Sequence, residues 1–384
     1  MALTAIQTNN KLIKFREEIL REFVRQNMFS AYMGNSMTSI IRIMNDLKSG
    51  GEQVNIPLVN SLRATAIGTG TLTGAEEAID NYGFRMWIDW ARNAVKTTRA
   101  EDHKDSADIF DIARPLLTDW GKELIKNEIV DSFLSIPLTT VPANLGSAAG
   151  QRVNGISWDN AVAGDRNTWV TNNSDRILFG AVISNAVSNV FATAALLVDN
   201  TTDKLTAASL RLMKRLAMKA VPRIRPIQTN DGYDYYVCFC DPNQFRDLSN
   251  DQTIVNANLY ARPRDGGTYK DNPLFMDGDI LYDGIIVRQV PEMRTRRPTL
   301  FATAGTGSIA INAAVLCGQS AVAQFYGQLP RPTQLDVTDY GFNRGVGIEM
   351  AYGIGKIAKA PIASPTALKD WGVFTGFFAS VDDV

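Results

Sequence analysis

The sequence has few of the residues on which catalytic and metal sites usually depend. Among 384 residues there is one histidine, His103, and there are three cysteines, Cys238, Cys240 and Cys317. A single histidine, in the hydrophilic run RAEDHKD, cannot complete the common zinc or Ser-His-Asp arrangements, and a solvated loop position is expected for it. YYVCFC predicts a strand with Cys238 and Cys240 on one face. Three cysteines without metal-ligand spacing indicate a reducing compartment and no disulfide framework.

Nucleotide and cation motifs are incomplete as well. The run Gly353-Ile354-Gly355-Lys356 would need Gly at 350 and Ser or Thr at 357 to form a phosphate loop, but Met350 and Ile357 stand there. The acidic run MDGDILYDG departs from the spacing of a calcium-binding EF-hand loop, so a plain turn is expected. The sequence therefore predicts no catalytic constellation, no cofactor and no metal.

Strong net charge and long apolar runs are also missing. The formal net charge is −1, with 45% hydrophobic and 21% charged residues. This globular composition draws the chain as a whole neither to nucleic acid nor to acidic membranes. Residues 181–198 are uncharged, but their Ser, Asn and Thr side chains argue against a membrane span. With no signal peptide at the N-terminus, we expect a soluble protein made in a cytoplasm, without a membrane partner.

Positive charge is concentrated locally around the run MRTRRP. The arginines concerned are Arg288, Arg294, Arg296 and Arg297. A solvated loop and a contact with phosphate or with an acidic surface both remain open for them. No aromatic residues are interleaved with these arginines, so a base-stacking module is not indicated.

Helical periodicity is clear in two stretches. Residues 11–29 space apolar groups along one stripe of a charged helix. Residues 105–134 predict the clearest helix, capped by Asp105 or Ser106, with a kink or a helix boundary at Pro115. Residues 137–174 are rich in Pro, Gly, Asn and Ser and predict a loop.

The remaining elements mix helices and strands without a βαβ rhythm, which predicts an α+β protein. The predicted elements are a helix over 206–221, a hairpin turning at Asn230-Asp231-Gly232, a short helix opened by Asp241-Pro242, and strands over 280–290 and 345–357.

The stretch from 84 to 95 fits two structures. As a strand it places Phe84, Met86, Ile88 and Trp90 on one face, and as a helix it forms a different apolar stripe. Periodicity alone leaves both open, although aromatic enrichment after Gly83 favours the strand.

Residues 50–77 are rich in Gly, Thr, Asn and β-branched residues and have no sizeable apolar face. They predict either a flexible loop or an extended arm that a partner orders. Adjacent Glu76 and Glu77 cannot face each other as an acid/base pair, so a contact with basic groups is expected. Deleting 53–73 is expected to leave a folded chain that no longer binds such a partner. The candidate residues for contact with such a partner are Val54, Ile56, Leu58, Leu62, Ile67, Glu76 and Glu77.

Several stretches, in order, carry a resemblance to a known family. They are LTGAEEAIDNYGFRMWIDWARNAVKTT, DIFDIARPLLTDWGKELIKNEIVDSFL, IRPI followed by YYVCFCDPNQFRDLSND, GGTYKDNPLFMDGDILYDGIIV, DYGFNRGVGIEMAYGIGKI and DWGVFTGFFAS. Together they span the chain from about residue 50 to its end. The sequence resembles the tailed-bacteriophage major capsid proteins of the Johnson fold, shared by tailed phages and herpesviruses, and within them the podovirus-type family.

The resemblance implies a subunit that assembles with itself, as hexamers and pentamers, into an icosahedral shell around a genome. It also implies non-specific contact with packaged double-stranded DNA, a portal protein, and scaffolding or decoration proteins as further partners. The implied parts are an N-terminal arm and helix (1–49), an extended loop (50–77), a peripheral domain (78–205) with a spine helix (105–133) and a loop-rich insertion (137–205), an axial domain (206–335), and a C-terminal return to the peripheral domain (336–384).

The chain departs from the wider fold in two respects. Some members cross-link subunits through a lysine in the extended loop, but residues 51–77 contain no lysine, so that chemistry is not carried over. Residues 137–205 match the general pattern poorly. Two alternatives to a viral shell remain: the shell protein of a nanocompartment with the same fold, and an unrelated α+β hydrolase.

Overall fold

The computed structural model describes residues 27–45, 50–59, 61–62, 64–79, 81–104, 109–138, 152–228, 232–261, 275–276, 279–335, 339–360 and 367–383. Its helices are α1 (Arg99–Lys104), α2 (Ile109–Phe133), α3 (Ala163–Asn172), α4 (Phe191–Leu196), α5 (Ala207–Lys219), α6 (Pro242–Ser249), α7 (Gln252–Ala261) and α8 (Pro291–Thr295).

The strands fall into two large sheets and three two-stranded pairs. In chain order they are β1 (Met33–Gly34), β2 (Ile41–Met44), β3 (Gln53–Val59), β4 (Asn81–Trp87), β5 (Asp89–Thr98), β6 (Ser135–Ile136), β7 (Ile156–Ser157), β8 (Ile177–Phe179), β9 (Ile227–Gln228), β10 (Asp234–Cys240), β11 (Phe275–Met276), β12 (Asp279–Tyr282), β13 (Ile285–Gln289), β14 (Ile311–Cys317), β15 (Val322–Gln334), β16 (Asn343–Lys356), β17 (Ala358–Lys359), β18 (Lys369–Asp370) and β19 (Val373–Ala379).

A five-stranded sheet, in the order β1-β2-β15-β16-β5, lies against the long helix α2. Ala113 and Leu117 of α2 are buried with Val346 of β16, which fixes the helix on the sheet. Helix α2 continues through Pro115, so the predicted boundary there is wrong. Pro115 is exposed, and water can therefore satisfy the carbonyl that its missing N–H leaves without a partner. The predicted caps Asp105 and Ser106 lie outside the described residues.

The stretch from 84 to 95 forms strands, as aromatic enrichment favoured. Strands β4 and β5 cover it, and both are antiparallel to their partners. Phe84 and Met86 are buried while Arg85 between them is exposed, which is the alternation of a half-buried strand.

An eight-stranded sheet, in the order β11-β12-β13-β10-β14-β19-β8 with β9 beside β10, forms the second large layer. Helix α5 packs on this layer through Leu210, Met213 and Ala217. The Thr206 side chain caps α5 by accepting a hydrogen bond from the Ser209 N–H, and the predicted helix over 206–221 is confirmed. The short helix α6 after Asp241 is confirmed as well. Residues 229–231 of the predicted turn lie outside the described residues.

Residues 336–384 contribute strands to both large sheets. Strand β16 extends the five-stranded sheet, but β19, near the C-terminus, lies between β14 and β8 in the eight-stranded sheet. Strand β8 comes from the predicted insertion (137–205), so that segment supplies an edge strand rather than only loops.

Helix α3 contradicts the loop predicted over 137–174. Trp169 and Val170 are buried, and packing of these two side chains outweighs the poor helix propensity of the polar residues around them. Residues 139–151 of the same stretch lie outside the described residues.

The predicted N-terminal helix (11–29) lies outside the described residues except for 27–29. These form a turn that leads into a 3₁₀ helix over Ser30–Tyr32. The Phe29 ring packs 5.1 Å from the Phe239 ring, edge to face, which anchors the start of the described chain in the main core. No helix in the described part of the chain is both long and apolar enough to cross a membrane.

Candidate assembly interface

The extended loop begins and ends in a hairpin. Strands β3 and β4 pair antiparallel over their whole length, from Gln53 with Trp87 to Val59 with Asn81. Asn154 fixes the root of this hairpin, since its Oδ1 accepts from the Trp87 N–H at 2.8 Å and its Nδ2 donates to the Trp87 carbonyl at 2.8 Å. We call residues 53–59 and 81–87 the loop base.

The loop base belongs to the core of the subunit. Ile56 and Leu58 are buried in one cluster with Phe84, Met86 and Phe325. The expectation that residues 50–77 lack an apolar face is therefore wrong for 53–59. The side chains at 54, 56 and 58 do alternate, but their burial requires a strand that follows some twenty residues later. Deleting 53–73 would remove β3 and uncover Phe84, so the expectation that this deletion leaves a folded subunit is corrected.

Residues 61–79, which we call the loop tip, are different. Their described side chains are all exposed. Leu62 and Ile67, both predicted contact residues, are 62% and 38% exposed. Leu72 and Ile79 are 67% and 60% exposed, and sequence analysis missed them. The available signal was that Leu72 stands in a run of Thr, Gly and Ala, and that Ile79 follows two glutamates.

Glu76 and Glu77 organise the tip. A Glu76 oxygen accepts from the Gly74 N–H at 2.7 Å, and a Glu77 oxygen accepts from the Ala64 N–H at 2.7 Å. The second bond joins the two ends of the tip. Both side chains are exposed, so the tip presents its negative charge to the surroundings.

The structure thus divides the predicted contact residues. Val54 is half-buried, and Ile56 and Leu58 are buried within their own chain, so they are not available to a neighbour. The exposed candidates are Leu62, Ile67, Glu76 and Glu77.

The arginine cluster around MRTRRP is used inside the subunit. Arg296 Nε donates to Asp131 Oδ1 at 2.5 Å, and Arg294 pairs with Asp382. Arg288 Nε lies 2.7 Å from Asp279 Oδ2. These three guanidinium groups are therefore paired with carboxylates of their own chain, and a contact with phosphate stays a prediction.

Arg297, the fourth arginine, differs. Burial lowers its pKa, and the neighbouring Arg294 lowers it further. Its Nη1 is buried without a hydrogen-bond partner among the described residues.

A buried ionic network ties α2 to the five-stranded sheet. Arg152 Nε donates to Glu128 Oε1 at 2.7 Å, and its Nη1 donates to the Trp90 carbonyl at 2.6 Å. Burial raises the pKa of Glu128 although Arg152 opposes the shift. Burial alone would lower the pKa of Arg152, but the Glu128 carboxylate outweighs it and the pKa is raised. These ion pairs and hydrogen bonds hold α2 against the five-stranded sheet.

The one histidine lies on α1, and the three cysteines lie on the neighbouring strands β10 and β14. His103 is exposed on α1, a short helix rather than the predicted loop. Cys238, Cys240 and Cys317 are buried and free, and burial raises the pKa of Cys238 to about 12. Such thiols stay protonated and unreactive. No group of three His, Cys, Asp or Glu side chains in the described ranges could hold a metal ion.

The far end of the five-stranded sheet is a further exposed apolar surface that sequence analysis missed. The long β15–β16 hairpin carries Leu329, Leu335, Tyr340 and Phe342, all exposed. Tyr340 has a backbone φ of 49°, in the left-handed region. An exposed aromatic side chain at the end of a hairpin is suited to a contact with another protein.

The chain matches the family described as phage capsid protein over residues 4–375. A chain of the cyanophage Pam1 capsid asymmetric unit is 31% identical, with 100% of both chains covered and a TM-score of 0.84. The capsid of Ralstonia phage GP4 is 18% identical, with 100% of both chains covered and a TM-score of 0.69. The head structure of Helicobacter pylori bacteriophage KHP40 is 14% identical, covers 97% of this chain and 96% of that chain, and has a TM-score of 0.61. No similar sequence is found among curated proteins.

The two more distant structures show the fold, and the match over residues 4–375 together with the Pam1 chain shows the family. The predicted α+β, Johnson-type capsid fold is confirmed. The resemblance found in the sequence is confirmed with it. The chain belongs to the phage capsid protein family.

Proposed function

We propose that this chain is the repeating subunit of a tailed-phage shell and that its loop tip makes a contact between copies. Family membership makes it a major capsid protein that self-assembles into an icosahedral shell. The observation that supports a role for the tip is its exposure. Leu62, Leu72 and Ile79 remain open to water in one chain, and a neighbouring copy can bury them.

The two large sheets correspond, in this proposal, to the peripheral and axial domains. The peripheral domain consists of the five-stranded sheet with α2, and the axial domain is built around the eight-stranded sheet. The axial domain then includes β8 and β19, which lie outside the range 206–335 expected from the sequence.

Assembly is the function to test first, because it needs no partner other than the chain itself. Purified protein examined by electron microscopy should show closed shells, formed as many interfaces close by symmetry. Monomers alone, under conditions where related capsids assemble, together with a hydrolytic turnover, would contradict the proposal and support the hydrolase alternative.

Double-stranded DNA is the proposed content of the shell. With a net charge of −1, contact with DNA must come from local Lys and Arg side chains and should be non-specific. Particles purified from infected cells should contain phage DNA, whereas enzyme cargo would support the nanocompartment alternative. A portal, scaffolding or decoration proteins, synthesis in the host cytoplasm, and the absence of catalysis belong to the same proposal.

A further inference from the structure

A cleft lies beside the loop base, where α5 ends. Its volume is about 770 Å³, and its lining includes Val59, Met218, Val221 and Trp371. Met218 and Val221 are about half exposed at the rim. Trp371 also packs against the core cluster that holds Ile56 and Leu58, so the cleft is continuous with the loop base.

The backbone that forms one wall of the cleft is held rigidly. The Val221 N–H donates to Asp175 Oδ2 at 2.8 Å, and Arg176 Nη2 donates to the Pro222 carbonyl at 2.9 Å. Further along, the Gln319 N–H donates to the Arg225 carbonyl at 2.9 Å. These bonds use backbone atoms and leave the side chains of Arg223 and Arg225 exposed.

The cleft carries unbalanced positive charge. Lys219, Arg223 and Arg225 line it, and Asp234 is the acidic residue among its described lining. The three basic side chains have no hydrogen bond or ion pair within the part of the chain that the structure describes. They contrast with Arg294 and Arg296, which are paired with carboxylates.

The loop tip has the complementary chemistry. Residues 61–79 contain Glu76 and Glu77 against one basic residue, Arg63, so the tip has a formal charge of −1. Exposed Ile67, Leu72 and Ile79 accompany the exposed carboxylate of Glu76. An acidic segment with aliphatic side chains fits an apolar cleft with a basic rim.

We propose that this cleft receives the loop tip of a neighbouring copy, with Glu76 facing Arg223 and Arg225 and the tip's aliphatic side chains meeting Met218 and Val221. The inference rests on the proposed shell function. Among the described loop residues, Val59 and Ser61 line the cleft of their own chain, and none of 64–79 does. Because the tip and the cleft are different surfaces, the contact is head-to-tail, the kind that closes subunits into rings.

Charge reversal tests the pairing in the full-length protein. Arg223→Glu with Arg225→Glu, and separately Glu76→Lys, should each lower the yield of shells at least about tenfold, since like charges then face each other. Combining all three changes should restore assembly. Arg215→Glu is the matched control: Arg215 is exposed one turn earlier on α5, does not line the cleft, and should leave assembly unchanged.

Cross-linking tests the same contact without reversing charge. Glu76→Cys and Arg223→Cys are made in separate chains, mixed, assembled and treated with a short bismaleimide; the three native cysteines are buried and should not react. A cross-linked dimer that requires both variants is expected. Shells without that dimer, or a combined charge variant that stays unassembled, would overturn the docking proposal. Shells of Arg223→Glu with Arg225→Glu that form normally but hold less DNA would assign the cleft to DNA instead. Failure of the unmodified chain to form shells would count against the shell function itself.

Discussion

The loop base and the loop tip are adjacent parts of one segment, yet they face opposite environments. Both contain aliphatic residues among polar ones. Ile56 and Leu58 in the base are buried against Phe84, whereas Leu62 and Leu72 in the tip are exposed. The difference is whether a strand of the same chain lies alongside. Where β4 is available, the apolar residues enter the core of the subunit, and where it is not, they stay exposed.

The largest effect on stability is expected in the base. Phe84→Ala should lower the free energy of unfolding by about 3–5 kcal/mol, because it empties a site in a fully packed cluster. Denaturant unfolding followed by circular dichroism measures this. If the free energy of unfolding fell by less than about 1 kcal/mol, the base would not be part of the core. The contrast between a buried base and an exposed tip would then be wrong.

A smaller loss of stability is expected for a change at Asp175, which lies beneath the cleft. Burial alone would raise the pKa of Asp175, but Arg176 and the Val221 N–H outweigh burial and lower it from its ordinary value of 3.8. Asp175→Asn should lower the free energy of unfolding by about 1–3 kcal/mol at neutral pH.

The pH dependence of that effect has a definite sign. A carboxylate with a lowered pKa in the folded state contributes stability above 3.8, and this contribution is lost as the pH falls towards the folded-state pKa. Unfolding curves of Asp175→Asn and of the unmodified chain should therefore converge below pH 3.8. A difference that grows on acidification would contradict the assigned role of Asp175.

The smallest effect on stability is expected at the tip. Leu72→Ser should change the free energy of unfolding by no more than about 0.5 kcal/mol, since the side chain is exposed. Its effect should appear in assembly, as fewer shells at a given protein concentration by light scattering. Normal assembly of Leu72→Ser would remove this residue from the interface.

Local signals predicted much of the fold. The Thr206 cap and the spacing of Leu210, Met213 and Ala217 specified α5, and Asp241-Pro242 specified the start of α6. These features depend on residues a few positions apart. The strand alternation around Phe84 was visible for the same reason.

Contacts between distant residues were not predictable in this way. Asp131 and Arg296 are 165 positions apart, so the ion pair that neutralises this arginine left no local pattern. The insertion of β19 between β14 and β8 is likewise a long-range pairing. The same holds for the candidate interface. The sequence predicted the segment 50–77, but pairing with β4 determines which of its side chains are exposed, and that pairing left no local pattern.

The most direct test asks whether the tip serves assembly and the base serves folding, by removing the tip alone. Replacing residues 60–80 with Asn-Gly would join Val59 to Asn81, which already face each other, through a two-residue hairpin turn. Circular dichroism of this variant measures whether it folds, and sedimentation measures whether it assembles. We expect the variant to be a folded subunit of unchanged stability that sediments as unassembled protein. A variant that unfolds would show that the tip is part of the subunit core, and one that still closes into shells would show that the tip is not an assembly contact.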